Sequence, residues 1–348
     1  MRKLALALVI AIILVGLWGC AAAKKPSPTS PTLAEKGKPV KIVDSVGRVL
    51  EVPQPLKRIV VTNVDAAWTV WGIGAQDRVV GVPKYVLEKP YMKVYQAKGN
   101  VGSTFHPSYE KIMELEPQVV LAYVKWPGHE LEEKLEPMGI KVVRLDFYNP
   151  GEMVREIKTL GLMLGMESEA ERYADGWEEP IKLVRERLGK LKEKVKVYYE
   201  GSKAWSSCGP GSGYHDLVIL AGGVNIAGSA PSAYPHLSPE YVLEANPDVI
   251  VKDPYVPGYG KEEPERLKEA YEELLSRIGI KETEAAKKGR VHVIAHDVIG
   301  GAFKNIGLLY LAKWFYPERF EDIDPAFYHQ KLLQDFFNLE YKGIFSYP

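Results

Sequence analysis

One sixteen-residue unit occurs twice in this chain: HPSYEKIMELEPQVVL from His106 to Leu121, and HLSPEYVLEANPDVIV from His236 to Val251, aligned without a gap. His106/His236, Ser108/Ser238, Glu110/Glu240, Glu114/Glu244, Pro117/Pro247 and Val119/Val249 are identical, each pair 130 positions apart. Each copy reads as one helix feeding one strand. The serine accepts bonds from the first free N–H groups of a helix, and Pro239 suits the first helical position, where a missing N–H costs nothing. The proline after the second glutamate stops the helix, and a β-branched run follows. The spacing far exceeds that of solenoid repeats, so the expectation is a duplicated α/β lobe with a cleft between the copies.

The 348 residues suffice for two domains, each with its own core. Lys plus Arg equals Asp plus Glu at 45 each, which leaves no basic field for a nucleic acid. Residues 1–20 read as a targeting segment: Arg2 and Lys3, an apolar run from Leu4 to Leu17, then small residues around Cys20. Leu17-Trp18-Gly19-Cys20 resembles a prokaryotic lipobox, which makes Cys20 the lipidated residue; ordinary cleavage and an uncleaved anchor are the alternatives. Residues 21–39 are rich in Ala, Lys, Pro, Ser and Thr and read as a tether. With Cys20 assigned to a lipid, only Cys208 is left and no intramolecular disulfide can form. Cys208 reads as a small buried loop residue.

Strands alternating with short helices predict a helix-covered, mainly parallel sheet in each lobe. The first lobe covers residues 40–150. It opens with a hairpin around Ser45-Val46-Gly47-Arg48, followed by strands at Arg58–Thr62, Arg78–Gly81 and Lys141–Leu145 and helices at Asp65–Ile73 and Glu130–Pro137. Residues 151–194 read as a helical connection. Its longest run begins at Ser168 as cap and places Tyr173, Trp177, Ile181, Val184 and Leu188 at helical spacing, as one rigid helix joining the lobes. The second lobe, residues 195–348, has strands at Val195–Tyr199 and Arg290–Ile294 and helices at Pro264–Ile278, Phe303–Phe315 and Pro325–Phe337.

Enzyme signatures are incomplete. Ser212 lies in GPGSGYH, but a nucleophile elbow needs glycines where Pro210 and Tyr214 stand, and Gly223–Ser229 lacks the lysine of a phosphate-binding P-loop. These glycine loops read as tight turns. Glu110 and Glu240 each take the second position of a helix, where the dipole favours a carboxylate by about 0.3 to 1 kcal/mol. At duplicated positions they are also candidate contacts for a two-fold symmetric partner. His106 and His236, duplicated just ahead of those helices, either bond local turn backbone or ligate a metal centre between the lobes. Aromatic residues crowd the strand-to-helix segments: Trp68, Tyr85, Phe105, Tyr123, Trp126, Tyr148, Trp205, Tyr214 and Tyr234. Such rings suit a large flat chelate better than a bare ion.

These features, with Asp44-Ser45-Val46-Gly47-Arg48, Asp77-Arg78-Val79-Val80-Gly81-Val82 and Leu220-Ala221-Gly222-Gly223-Val224-Asn225-Ile226 in order between Val43 and Ala312, resemble the substrate-binding proteins of ABC importers for iron-siderophore, haem and cobalamin. The resemblance implies two Rossmann-like lobes joined by one rigid helix, no enzymatic activity and no intrinsic cofactor. It implies an iron chelate, corrinoid or haem in the cleft, and a partner permease dimer with its ATPase subunits, engaged through Glu110 and Glu240. It places the protein outside the cytoplasm, tethered to the outer face of the cell membrane by a lipid on Cys20. By the same resemblance Tyr85, Tyr123, Trp205, Tyr234 and Asp297 match cleft positions of cobalamin binders, as does either Thr104 or Phe105. The arginines that clamp acidic siderophores in some relatives have no counterpart; Lys84, Lys125, Lys203 and Lys304 are the candidate substitutes, each a point charge and not a planar fork. A hydrolase or chelatase on the same scaffold is the rival from another class, and it needs a nucleophile–base pair.

Overall fold

The computed structural model describes residues 38–259 and 263–348, so the targeting segment, Cys20 and most of the tether lie outside the described residues. The first lobe opens with the antiparallel hairpin β1 (Val40–Val43) and β2 (Val49–Val52). Its turn uses Gly47 at φ +82°, a left-handed conformation that a side chain would oppose, and the Asp44 carboxylate accepts the Val46 and Arg48 N–H groups. Five parallel strands follow: β3 (Ile59–Val61), β4 (Val79–Val82), β5 (Gly99–Asn100), β6 (Val119–Ala122) and β7 (Lys141–Arg144), in the order β5-β4-β3-β6-β7. Every residue of β3 and β6 is buried, as a parallel sheet covered on both faces requires.

The second lobe holds β8 (Lys196–Glu200), β9 (Val224–Asn225), β10 (Val249–Lys252), β11 (Val291–Ile294) and β12 (Ser346–Tyr347), in the order β12-β11-β10-β8-β9. Only β12 runs antiparallel to its neighbour. The repeated unit behaves alike in both lobes. Ser108 caps the helix Tyr109–Glu114 and Ser238 caps Pro239–Ala245, each accepting the N–H three residues on. Those helices feed β6 and β10, which pair with the first sheet strand of their lobes at Ile59↔Val119 and Val197↔Val249. The lobes diverge elsewhere, since the second has one crossover strand fewer on the β8 side and gains β12 at the far edge.

Two helices connect the lobes, Met153–Leu164 and the 22-residue Glu167–Leu188, with Gly165 between them at φ +63°. Ser168 is not the cap. The long helix starts at Glu167, behind Met166 as its cap residue, because the Gly165 turn closes the preceding helix at Met166, whose N–H donates to Gly161 O at 2.9 Å; Met166 has no side-chain acceptor, and no side-chain cap bond forms. This helix grips both lobes. Tyr173 packs so closely on Gly72 of the first lobe that a methyl there would lie 2.5 Å from its ring. One turn on, Trp177 donates to Ala302 O at 2.7 Å, and Asn305 donates back to Trp177 O at 2.8 Å. Trp68, on the first-lobe helix Val64–Ile73, meets Phe303 and Phe337 edge-on, each at 4.9 Å. These contacts fasten the linking helix to both lobes.

Candidate functional site

In each sheet the direction of winding reverses between the first strand and the strand of the repeated unit, β3/β6 and β8/β10. Crossovers leave such a pair on opposite faces, and a crevice opens at the strand carboxyl ends. On the first lobe that crevice is occupied by Asp65 and Tyr123. Asn63 caps the helix after β3 by accepting the Ala66 N–H at 2.8 Å, which carries Asp65 into its first turn. Tyr123, just past β6, donates its hydroxyl to Asp65 Oδ2 at 2.5 Å, while Oδ1 is buried with no close hydrogen-bond partner among the described residues. Burial pushes the Asp65 carboxyl up to about 6, against the Tyr123 hydroxyl and the charges of Lys304 and His296. Tyr85 braces the same corner: its hydroxyl accepts the Val64 N–H at 3.0 Å and bonds Thr104 Oγ1 at 3.1 Å. Thr104 therefore points inward, whereas Phe105 is 60% exposed and rests edge-on against Trp126 at the rim.

The second lobe answers with a ladder of rings. Tyr199 stacks on Tyr214 at 5.2 Å, the Tyr214 and Tyr255 hydroxyls lie 3.4 Å apart, and Tyr255 stacks on His296 at 4.1 Å. Asp253, fully buried just beyond β10, holds His296 Nδ1 at 2.9 Å and accepts the Tyr255 N–H and the Tyr199 hydroxyl. Burial alone would depress the His296 imidazole, but Asp253 lifts it above its usual value. Lys304 crosses the cleft. Its ammonium lies 4.7 Å from the Tyr148 ring of the first lobe and 5.3 Å from Tyr214, with no hydrogen bond or ion pair among the described residues. Burial pulls its amine down to about 8, opposed by Asp65, Asp216, Asp146 and Asp253.

Of the four lysines read as substitutes for arginine, Lys304 alone is buried; Lys84 pairs with Glu88 on the surface, and Lys125 and Lys203 are exposed. Asp297 ties the lobes together, accepting the Tyr91 hydroxyl at 3.3 Å and the Gly258 N–H at 3.0 Å. Tyr234 stands at the rim, 60% exposed. Trp205 is placed apart from these groups. Its ring stacks on Tyr198 and beneath Arg277, on the face of β8 opposite Tyr199, because its backbone N–H is held by Glu200. His106 and His236 are exposed and lie on different lobes, and no group of three His, Cys, Asp or Glu that could hold a metal ion occurs among the described residues. Glu110 and Glu240 are exposed with no ion-pair partner among the described residues, at helix starts that border the strand carboxyl ends. An inter-lobe recess of about 750 Å³ beside Trp71, Tyr91, Tyr259 and Phe337 contains neither Asp65 nor Lys304.

Sequence reasoning passed over Asp65, Asp253, Tyr255 and His296. The available signal was position, since each aspartate follows a wholly buried strand at the point where winding reverses.

Asp65 also sets a pH dependence. Its folded value of about 6 exceeds the ordinary 3.8, so the folded state holds a proton that the unfolded chain has released. Stability therefore falls as pH rises from about 4 to 6. Asp65→Asn keeps an acceptor for Tyr123 and removes the charge, so it should raise stability by about 3 kcal/mol at pH 7.5 and by almost nothing at pH 4. Urea unfolding at both pH values checks this; equal effects at the two would show that charge burial is not the cause.

The sequence model described as "Periplasmic binding protein" matches residues 59–298. The chain is 25% identical over 217 residues to the cobalamin-binding protein of Halobacterium salinarum, covering 61% of this chain and 58% of that one, a little over half the relative's length. It is 25% identical over 260 residues to the petrobactin-binding protein of Bacillus subtilis, covering 72% of this chain and 79% of the relative. Its fold matches the molybdate periplasmic binding protein of Haemophilus influenzae, solved with molybdate, at a TM-score of 0.70 and 21% identity, over 87% of this chain and 99% of that one.

Proposed function

We propose a function for this chain, which belongs to the periplasmic binding protein family: it is the extracytoplasmic substrate-binding subunit of an ABC importer. It takes a metal chelate into the inter-lobe cleft, a ferric siderophore foremost, with a corrinoid or haem as the alternative, and hands it to a permease dimer driven by ATPase subunits. The observation that carries this reading is the convergence of tyrosine rings from both lobes on one buried cation, in a cleft whose walls are pinned by the linking helix. Rings with polar tips offer a chelate broad contact and directional bonds together. Phe105, Tyr123, Tyr234 and Tyr85 are its proposed contacts, with Asp297 and Trp205 supporting the walls. A hydrolytic reading is poorly served, because burial pushes the Cys208 thiol up to about 12 and the Ser212 hydroxyl is engaged by the His215 N–H.

Cys20 carries the proposed lipid, and residues 21–39 the tether that keeps the lobes near the permease. No described helix is long and apolar enough to cross a membrane. Native mass spectrometry and a visible spectrum of the protein extracted from its own membranes test the proposal together. The expected result is a mature chain beginning at Cys20 with added lipid mass, carrying a chelate that gives a ferric charge-transfer, corrinoid or Soret band. A protein that arrives empty and then binds no ferric siderophore, cobalamin or haem in titration would sink the chelate reading.

A further inference from the structure

The segment Gly209-Pro210-Gly211-Ser212-Gly213 reads in sequence as a tight turn; the fold brings a lysine to it from another helix. The turn is built for close approach. Gly211 sits at φ +85°, and a methyl on Gly209 would lie 2.3 Å from Ser232 O. It opens the helix Gly213–Leu220, where the Ser212 side chain takes the His215 N–H at 3.2 Å and Ser212 O takes that of Asp216. The N–H groups of Gly213 and Tyr214 are left without a partner among the described residues. Beside that helix start lies Lys304, 3% exposed, its Nζ only 2.8 Å from where a Gly213 methyl would stand. A helix N-terminus and an ammonium group are both positive, and facing each other they repel unless an anion lies between.

We propose that the N-terminus of the helix Gly213–Leu220 and the Lys304 ammonium form an anion subsite in the second-lobe wall of the cleft, which seats a compact monoanionic oxygen group, a carboxylate or a phosphodiester, carried by a larger ligand. The proposal rests on reading the cleft as the importer's binding site. Charge limits the group to a single negative unit. Asp65, Asp146, Asp216 and Asp253 are the carboxylates acting on Lys304, and a free dianion would meet their field, whereas a monoanion is matched by one ammonium and two N–H groups. Size argues for the larger ligand, since the rings of Tyr148 and Tyr214 flank Lys304 and the wall continues outward to Tyr255 and Tyr234.

Amide resonances of the ¹⁵N-labelled full-length protein in detergent give a direct test, with dimethyl phosphate, acetate and molybdate as separate titrants. The Gly213 and Tyr214 amides should shift saturably with a monoanion at millimolar concentration, and the monoanion that saturates first identifies the phosphodiester or carboxylate source. Lys304→Met should weaken that binding at least about tenfold and Lys304→Arg by less than about threefold, the factor expected for one charge-assisted contact. Gly213→Ala, which drives a methyl against the ammonium, should block the subsite with the lysine intact and covers the case in which Lys304→Met does not fold. Absence of saturable shifts at these two amides, identical shifts in a folded Lys304→Met protein, or molybdate binding more than tenfold tighter than either monoanion would overturn the proposal. The titration needs neither permease nor chelate. Saturating amides in a protein that carries and imports no chelate would therefore remove the importer reading and leave the subsite, whereas silent amides in a competent importer remove the subsite alone.

Discussion

Glu110→Gln combined with Glu240→Gln should reduce chelate uptake into vesicles containing the permease by two to three orders of magnitude, while chelate affinity stays within about twofold. Two unpaired charges set the size of that loss. Both carboxylates are exposed, partnerless among the described residues, and repeated at the starts of the capped helices Tyr109–Glu114 and Pro239–Ala245. If each docks against a permease cation, removing it leaves that cation buried at the interface at a cost of about 2 kcal/mol or more per site. Such a cost is roughly thirtyfold per lobe. The bland role predicts something different, because a first-turn carboxylate contributes about 0.3 to 1 kcal/mol to its helix and Gln is nearly as good a helix former. Thermal unfolding of the double variant should therefore move little. Normal uptake by a folded, chelate-binding double variant would reduce the two glutamates to helix-end residues.

The duplication made the lobes legible because it lies on the two strands that matter most, β6 and β10, each paired with the first sheet strand of its lobe. Strands β3 and β6 could be read as continuous apolar runs for the same reason that they are wholly buried. What escaped was whatever depends on contacts between distant segments. Lys304 was one of four candidate lysines until the fold set it over Gly213 and between Tyr148 and Tyr214. Asp253 and His296 form one bonded pair from two strand ends; position after a buried strand marks the aspartate, but nothing local pairs it with the histidine. Ser168 is a reasonable cap by residue type, but the Gly165 turn ends the preceding helix at Met166, so the next helix is already under way at Ser168. Trp205 has the composition of a ligand-facing ring, yet its φ of +62° and its bond to Glu200 turn it onto Tyr198. A backbone conformation rare for a bulky residue cannot be read from its neighbours in sequence.

That bond to Glu200 leads to the largest expected loss of stability. Glu200 is fully buried and accepts from Lys252 at 2.7 Å, Arg277 at 2.6 Å, the Tyr198 hydroxyl at 2.6 Å and the Trp205 N–H at 2.7 Å. Burial alone would raise its carboxyl, but Arg277 and Lys252 hold it below the usual value. Glu200→Ala leaves the buried Lys252 without its counter-ion and should cost about 3 to 5 kcal/mol. Its sign with pH follows: the depressed carboxyl contributes fully above the ordinary glutamate value of 4.5, and the contribution is lost as pH falls through the lower folded value. The advantage of the native protein over Glu200→Gln should accordingly be present at pH 7 and shrink below about pH 4. Replacing all three charges by apolar groups, Glu200→Leu with Lys252→Met and Arg277→Met, removes the desolvation cost together with the attraction and should restore stability to within about 2 kcal/mol of native. It should not restore the loop. Lys252 also donates to Gly201 O and Ser202 O, and Glu200 fixes Trp205, so the segment leading into the glycine turn loses its anchors. Hydrogen exchange should then be faster at residues 201–208 of a triple variant that unfolds at near-native urea concentration. Native protection there in the stable variant would mean that the buried charges hold the sheet and not the cleft wall.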